Sequence, residues 1–259
     1  MIPYFTLQSI AIGPFVLHLW GLMVALGLLG GAYAAARLAR QRGLDSKIIW
    51  DVAPWIIIGA IVGARLFHVL FYEPAYFFSR PAEIVAIWNG GLAISGGLIG
   101  AVAVGVWFFR RKGLDVLSYA DVLAFGLPLG VFIGRLGCFF TNLHPGKPTS
   151  FFLGVLYPDG VVRHDLGLYL SLDGLVLFMI FLLVKNRRLL NGSFVVGYLV
   201  WYGVSRFLLD FLRATDGAIV DARYLGLTPA QYVAVGLFLV GIYGARRLFN
   251  NAKRERQKR

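Results

Sequence analysis

Residues 166–184 read LGLYLSLDGLVLFMIFLLV, an apolar run interrupted by one charged side chain, Asp173. A helix rises about 1.5 Å per residue, so a run of this length covers the roughly 30 Å hydrocarbon core of a bilayer. Six more stretches of similar character lie near residues 15–37, 49–72, 84–109, 119–140, 193–212 and 228–249. The whole chain is 58% hydrophobic and only 15% charged, with mean hydropathy +0.72, whereas a soluble domain carries about 25% charged residues. So few charges cannot coat a water-facing surface of this size. The expectation is an all-α polytopic membrane protein of about seven transmembrane helices, forming a single transmembrane domain over residues 1–259.

Seven spans make the placement of basic residues a test of orientation, because Lys and Arg accumulate on the cytoplasmic side. Of the 25 Lys and Arg residues, 17 fall in alternate connections and the tail: around Arg37 to Lys47, Arg110 to Lys112, Lys185 to Arg188, and Arg246 to Arg259. Five lie on the opposite side: Arg80, Lys147, Arg163, Arg213 and Arg223. This asymmetry predicts an N-terminus outside and a C-terminus in the cytoplasm. The net charge of +12 is spread between apolar runs and along the tail, a placement that suits an anionic membrane surface and not nucleic acid.

The segment before the first run has no basic stretch and no small-residue cleavage site, so no removable signal peptide is expected. Cys138 is the one cysteine, which excludes an intrachain disulfide framework. Pro54 and Pro128 fall inside spans and are expected to kink or locally open them. Gly96-Gly97 allows two readings, irregular backbone lining a cavity or close packing of helices through small residues. Residues 141–165 form the longest outer connection. Its strand-like stretch 151–157 and the turn Pro158-Asp159-Gly160 predict a small extracytoplasmic head. No phosphate-binding Gly-Lys-Ser/Thr loop, metal-spaced Cys/His cluster or Ser/His/Asp motif is present, which argues against nucleotide and metal chemistry.

Three basic residues, Arg65, Arg135 and Arg206, fall within the spans or at their outer ends. An intramembrane arginine is costly unless it faces a partner or a polar cavity. Around them the outer half gathers His68, Ser95, Asn142, His144, Arg163-His164-Asp165, Tyr202, Asp210 and Arg213. Several guanidinium groups facing one cavity suit an anion that also belongs in a membrane, of which a phospholipid phosphate is the obvious example. Tyr202, Arg206 and Asp210 follow at four-residue steps and share a helix face. The Arg206–Asp210 spacing fits an internal salt bridge as well as a catalytic arrangement.

Gly134-Arg135-Leu136-Gly137-Cys138-Phe139, with Gly146 downstream, resembles the prolipoprotein diacylglyceryl transferase signature G-R-x-G-N-F-x-N-x-E-x-x-G. Ile12-Gly13-Pro14 before Trp20-Gly21-Leu22-Met23, Gly63-Ala64-Arg65-Leu66, Gly96-Gly97-Leu98-Ile99-Gly100, Arg163-His164 before Tyr169, Tyr202-Gly203 with Arg206, Asp210 and Arg213, and Gly226-Leu227-Thr228 extend the likeness over nearly the whole chain. The resemblance implies a multi-pass enzyme of the bacterial cytoplasmic (inner) membrane. Such an enzyme moves the diacylglyceryl group of phosphatidylglycerol onto the lipobox cysteine thiol of a prolipoprotein signal peptide. A thioether forms, glycerol phosphate leaves, and no cofactor is needed. Carried over by position, Arg135 and Arg206 would hold the phosphate and Tyr202 would line the pocket. Arg65, Ser95, Gly96, Gly97, Asn142, Gly146, Arg163, His164 and Arg213 would contact substrate.

The sequence departs from the family pattern at several places. Ser95 stands where the family has a catalytic histidine, and a serine is no general base near neutral pH. Cys138, Thr141 and Leu143 stand at the signature's Asn, Asn and Glu, and Trp20 at its first-span Tyr. A thiol has an ordinary pKa of about 8.5, which nearby cations lower, so a weaker base can suffice. His144, and in second place His68, is the candidate replacement. A related transferase with another acceptor and a lipid-binding pseudoenzyme are the alternatives these departures leave open. A transporter ranks below them because the spans show no inverted repeat.

Overall fold

The computed structural model describes residues 1–13, 15–187, 189–216 and 223–258. Pro14, Arg188 and Arg259, which figure in the sequence reading, lie outside them. The elements in chain order are β1 (Ser9–Ile12), β2 (Phe15–His18), α1 (Leu19–Gln41), α2 (Lys47–Phe71), α3 (Pro74–Ser79), α4 (Ile94–Arg111), α5 (Val116–Phe140), β3 (Pro145–Pro148), β4 (Val155–Leu156), β5 (Val162–Asp165), α6 (Leu166–Val184), α7 (Ser193–Leu209) and α8 (Pro229–Lys258). Seven of the described helices, all except the short α3, are long and apolar enough to cross a membrane. The protein is thus an all-α polytopic membrane protein. Tertiary contacts divide it into two compact units, residues 39–119 and the remainder.

Three span boundaries differ from expectation. The first helix begins at Leu19 instead of residue 15, because β1 and β2 pair as an antiparallel hairpin with Ser9 opposite His18 and Ile12 opposite Phe15. Helix α4 begins at Ile94 instead of residue 84. Gly90 and Gly91 take φ of +85° and +70°, a left-handed backbone that no helix continues through, and residues 81–89 before them form short 3-10 turns. The last helix runs to Lys258 instead of residue 249, since good helix formers continue it. Neither Pro54 nor Pro128 divides its helix.

In the smaller unit, α2 and α4 pack backbone to backbone. A Cβ on Gly96 would collide with the Gly63 carbonyl and with Phe67, and one on Gly100 with the Gly59 carbonyl. Of the two readings of the Gly96-Gly97 segment, close packing through small residues is the one the geometry supplies. In the larger unit the same device brings α1 to α5, where a Cβ on Gly27 would lie 2.6 Å from the Gly130 carbonyl oxygen. It also brings α7 to α8, where one on Gly203 would lie 2.9 Å from that of Ala234.

Residues 145–165 carry a three-stranded antiparallel sheet in the order β3-β5-β4, with Pro145 opposite Asp165 and Val155 opposite Arg163. The expected strand 151–157 contracts to Val155–Leu156, because Gly154 N–H donates to Phe151 O (2.8 Å) and turns the chain first. The turn at Asp159-Gly160 forms as expected: Gly160 has φ +76° and Asp159 Oδ1 accepts from Val161 N–H (3.0 Å). Strand β5 leads directly into α6 through Asp165, which is fully buried. It caps the helix by accepting from Leu168 N–H (2.8 Å) and from the Tyr157 hydroxyl (2.9 Å). Burial raises Asp165 to about 6, against the opposing pull of those hydrogen bonds.

Candidate anion site

At the head end of the larger unit, three chain segments deliver arginines to one place. Helix α5 carries Arg135 in its last turns, α7 carries Arg206, and the 3-10 turn that prolongs α7 leads to Arg213. Asp210 lies between the last two, fully buried, with Oδ1 at 3.0 Å from Arg206 Nη2 and 3.0 Å from Arg213 Nε. The four-residue spacing read from the sequence is therefore an ion pair, and Asp210 is shared by two cations. Its other oxygen accepts from the Thr228 hydroxyl.

Thr228 belongs to a capping box at the start of α8. Its N–H donates to Gln231 Oε1 (2.9 Å) and its hydroxyl accepts from Gln231 N–H (3.3 Å), while Gln231 Nε2 reaches back to Phe207 O on α7 (3.1 Å). The cap that starts α8 therefore also fixes Asp210 and, through it, two arginines. The four-residue string Thr228-Pro229-Ala230-Gln231 is a legible helix-start signal, with Pro at the first helical position. Sequence reasoning passed over it.

Arg135 is half-buried, and its Nη1 lies 4.0 Å from Cys138 Sγ, too far to satisfy the guanidinium. Arg206 Nη1 is buried without a hydrogen-bond acceptor among the described residues. Arg223, which the sequence reading took only as a loop charge, joins the group: its Nε and Nη2 are buried and have no acceptor among the described residues, and its charge reaches Arg213. Burial holds Arg213 below the ordinary arginine value. Asp210 pulls it up, and Arg206, Arg135 and Arg223 push it further down. Among the described residues the cluster sets four arginines against one carboxylate, a net positive charge that suits an anion.

His144 sits in the same place, just after α5. Burial first, then Arg135, Arg213 and Arg206, lower its imidazole to about 4, so the ring is neutral at pH 7. Its Nδ1 is buried without a hydrogen-bond partner among the described residues. Gly146 lets the chain pass: it pairs with Arg213 across an isolated antiparallel bridge, and a Cβ there would lie 2.6 Å from Leu212 O and 2.8 Å from His164 O. Tyr202 stacks on Tyr198 (5.7 Å between centroids) one turn before Arg206, and Tyr198 lies within electrostatic reach of Arg135.

The other candidates have separate engagements. Arg163 holds Asp159 (3.2 Å) and Asp216 (2.9 Å), and Asp216 above all raises it. His164 Nδ1 is 2.8 Å from the Tyr169 hydroxyl, and burial lowers the imidazole. Asn142, at φ +49°, donates to Phe5 O (2.5 Å). Arg65, Ser95, Gly96 and Gly97 belong to the smaller unit. There Arg65, 6% exposed, donates to the carbonyls of Glu83 (2.6 Å), Ile84 (2.9 Å), Gly90 (2.6 Å) and Gly91 (3.1 Å) and lies over the Phe77 ring. Its guanidinium staples residues 83–91 to α2. His68 stacks on Tyr72 and meets Phe77 edge-on in the same aromatic group.

Seven described helices of membrane-spanning length, with an arginine cluster and a histidine at the head end of the larger unit, define an integral membrane protein with a cationic site. The sequence model of the prolipoprotein diacylglyceryl transferase family matches residues 8–246, and the chain belongs to that family; it is a transferase. It is similar to proteins named phosphatidylglycerol--prolipoprotein diacylglyceryl transferase. That of Nitratidesulfovibrio vulgaris is 33% identical over 91% of each chain. That of Geobacillus kaustophilus is 36% identical over 89% of this chain and 88% of the relative, and that of Bacillus velezensis 34% identical over the same shares.

Proposed function

We propose that this protein transfers the diacylglyceryl group of phosphatidylglycerol to the lipobox cysteine thiol of a prolipoprotein, in lipoprotein biosynthesis at the bacterial inner membrane. The observation that carries the reading to this chain is the pairing of Arg206 and Arg213 with the buried Asp210, with Arg135 within electrostatic reach of Arg213. In the transfer, the thiol sulfur bonds to the glyceryl carbon and the bond from that carbon to the phosphate oxygen breaks. The electron pair goes to the phosphate, which passes from one negative charge to two, and the thiol proton goes to a base. Guanidinium groups already held by Asp210 need little rearrangement to receive that charge, which is the condition under which fixed cations accelerate a reaction.

His144 is the proposed base. It is neutral at pH 7, as a proton acceptor must be, and it has an unpartnered ring nitrogen. Protonating it beside three arginines is unfavourable until an anion offsets them, so the phosphate of bound substrate strengthens the base that its own reaction requires. Tyr202, one turn before Arg206 on α7, is assigned to the substrate pocket on the family resemblance. Ser95, at the start of α4 in the smaller unit, is a hydrogen-bonding group and not the base. The charge asymmetry supports an N-terminus and head outside and a C-terminus in the cytoplasm, the arrangement that presents the site to an exported signal peptide.

The test is turnover in nanodiscs containing phosphatidylglycerol and a lipobox peptide, with thioether and glycerol phosphate followed by mass spectrometry. Arg135→Ala should lower turnover by about 10²- to 10³-fold. Lipid binding without any product from the unaltered chain would favour a pseudoenzyme, which the serine at position 95 makes the main competing reading.

A further inference from the structure

Arg223 lies in the connection between α7 and α8, a residue that no motif singled out. Immediately after it the chain closes a tight turn. Tyr224 N–H donates to Leu227 O (2.8 Å) and Leu227 N–H to Tyr224 O (3.0 Å), across Leu225 at φ +48° and Gly226 at φ +81°. The Tyr232 hydroxyl, from the second turn of α8, donates to Tyr224 O (2.7 Å), and Thr228 at the foot of the turn is tied to Asp210 and Gln231. The backbone that follows Arg223 is thus anchored to the same α8 cap that holds the arginine cluster.

The two atoms of Arg223 that are buried without an acceptor among the described residues are Nε and Nη2. They form one edge of the guanidinium plane, and their N–H bonds point the same way, so together they grip two oxygens of a single phosphate or carboxylate. Leaving such an edge buried and unpaired is among the costlier defects a fold can carry. Here it stands close enough to Arg213 for the two charges to repel. Both costs are relieved by an anion with two oxygens to offer.

We propose that Arg223 is a further ligand of the anion, gripping two oxygens of the phosphate as it leaves on glycerol phosphate. This rests on the transferase reading for the identity of the anion, and on the position of Arg223 for the contact. Arg206 and Arg213 share Asp210, so among the described residues no carboxylate of the cluster is left to neutralise Arg223, and its grip grows as the phosphate gains its second charge. It therefore favours the product side of the bond-breaking step over the ground-state diester, and its loss lowers kcat more than it raises KM for phosphatidylglycerol.

The experiment titrates glycerol phosphate calorimetrically into the full chain in phosphatidylcholine nanodiscs, for the unaltered protein, R223Q and R223K. R223Q should weaken binding by about tenfold to a hundredfold, the range of a charge-assisted hydrogen-bonded contact. R223K restores a charge but not the two-donor edge, so it should remain weaker than the unaltered chain. Unchanged binding in R223Q overturns the proposal. If R223Q melts early and cannot be read, binding by R223K equal to that of the unaltered chain overturns it instead. Turnover with phosphatidylglycerol and lipobox peptide is measured in parallel. An unaltered chain that binds glycerol phosphate through Arg223 but forms no thioether refutes the transferase reading and leaves the Arg223 contact standing.

Discussion

His144 shows how a single side chain acquires a role from its surroundings. An ordinary imidazole titrates near 6.5, and this one is held at about 4 by burial and three arginines. If it is the base, kcat/KM for phosphatidylglycerol should stay flat from pH 7 down to about pH 5 and fall only towards pH 4, since that ratio reports the free enzyme. An acid limb centred near 6.5 would count against the assignment. His144→Gln should abolish the pH-dependent part of turnover while glycerol phosphate still binds, because the arginines remain. His144 was visible in the sequence as a candidate beside a signature. Its depressed affinity for protons was not, since that depends on burial by the fold and on Arg206 and Arg213, more than 60 residues away.

At the scale of elements, two helix caps carry more than their helices. Thr228→Ala should remove the α8 capping box, worth about 1 kcal/mol, and also leave a buried oxygen of Asp210 without its donor, worth about 1–3 kcal/mol more. The thermal midpoint should drop and glycerol phosphate affinity should fall with it, whereas a pure cap would affect stability alone. Asp165 caps α6 with its carboxyl raised to about 6 from an ordinary 3.8. The folded protein therefore holds a proton that the unfolded chain releases between about pH 4 and pH 6, so this group makes stability decline as pH rises through that window. Asp165→Asn, which keeps the capping oxygen, should flatten that slope in thermal melts from pH 4 to pH 7. A slope left intact would place its origin elsewhere. Arg65 belongs at this scale too. Its carbonyl partners give it a structural task, so R65Q should loosen residues 83–91, read by faster amide exchange there, without weakening glycerol phosphate binding.

For the molecule as a whole, topology is the outstanding expectation. The 17 basic residues on one side against five on the other predict a cytoplasmic C-terminus. A fluorescent reporter fused after Arg259, of a kind that matures only in the cytoplasm, should shine, and a dark fusion at normal abundance would reverse the orientation. The spans, their number and the membrane setting were legible in the sequence because hydropathy is a sum over neighbours along the chain, and lipid imposes it on every spanning segment alike. Arg135, Arg206 and the Arg206–Asp210 pair were legible for the same local reason: a charge inside an apolar run, and a spacing of one helical turn. Only the tertiary structure decided that Arg65 is spent on carbonyls of residues 83–91, that Asp210 serves two arginines and a threonine at once, and that Arg223 stands with them. Whether a polar atom is satisfied depends on which distant segments the fold brings within about 3 Å, and nothing in the order of residues states that distance.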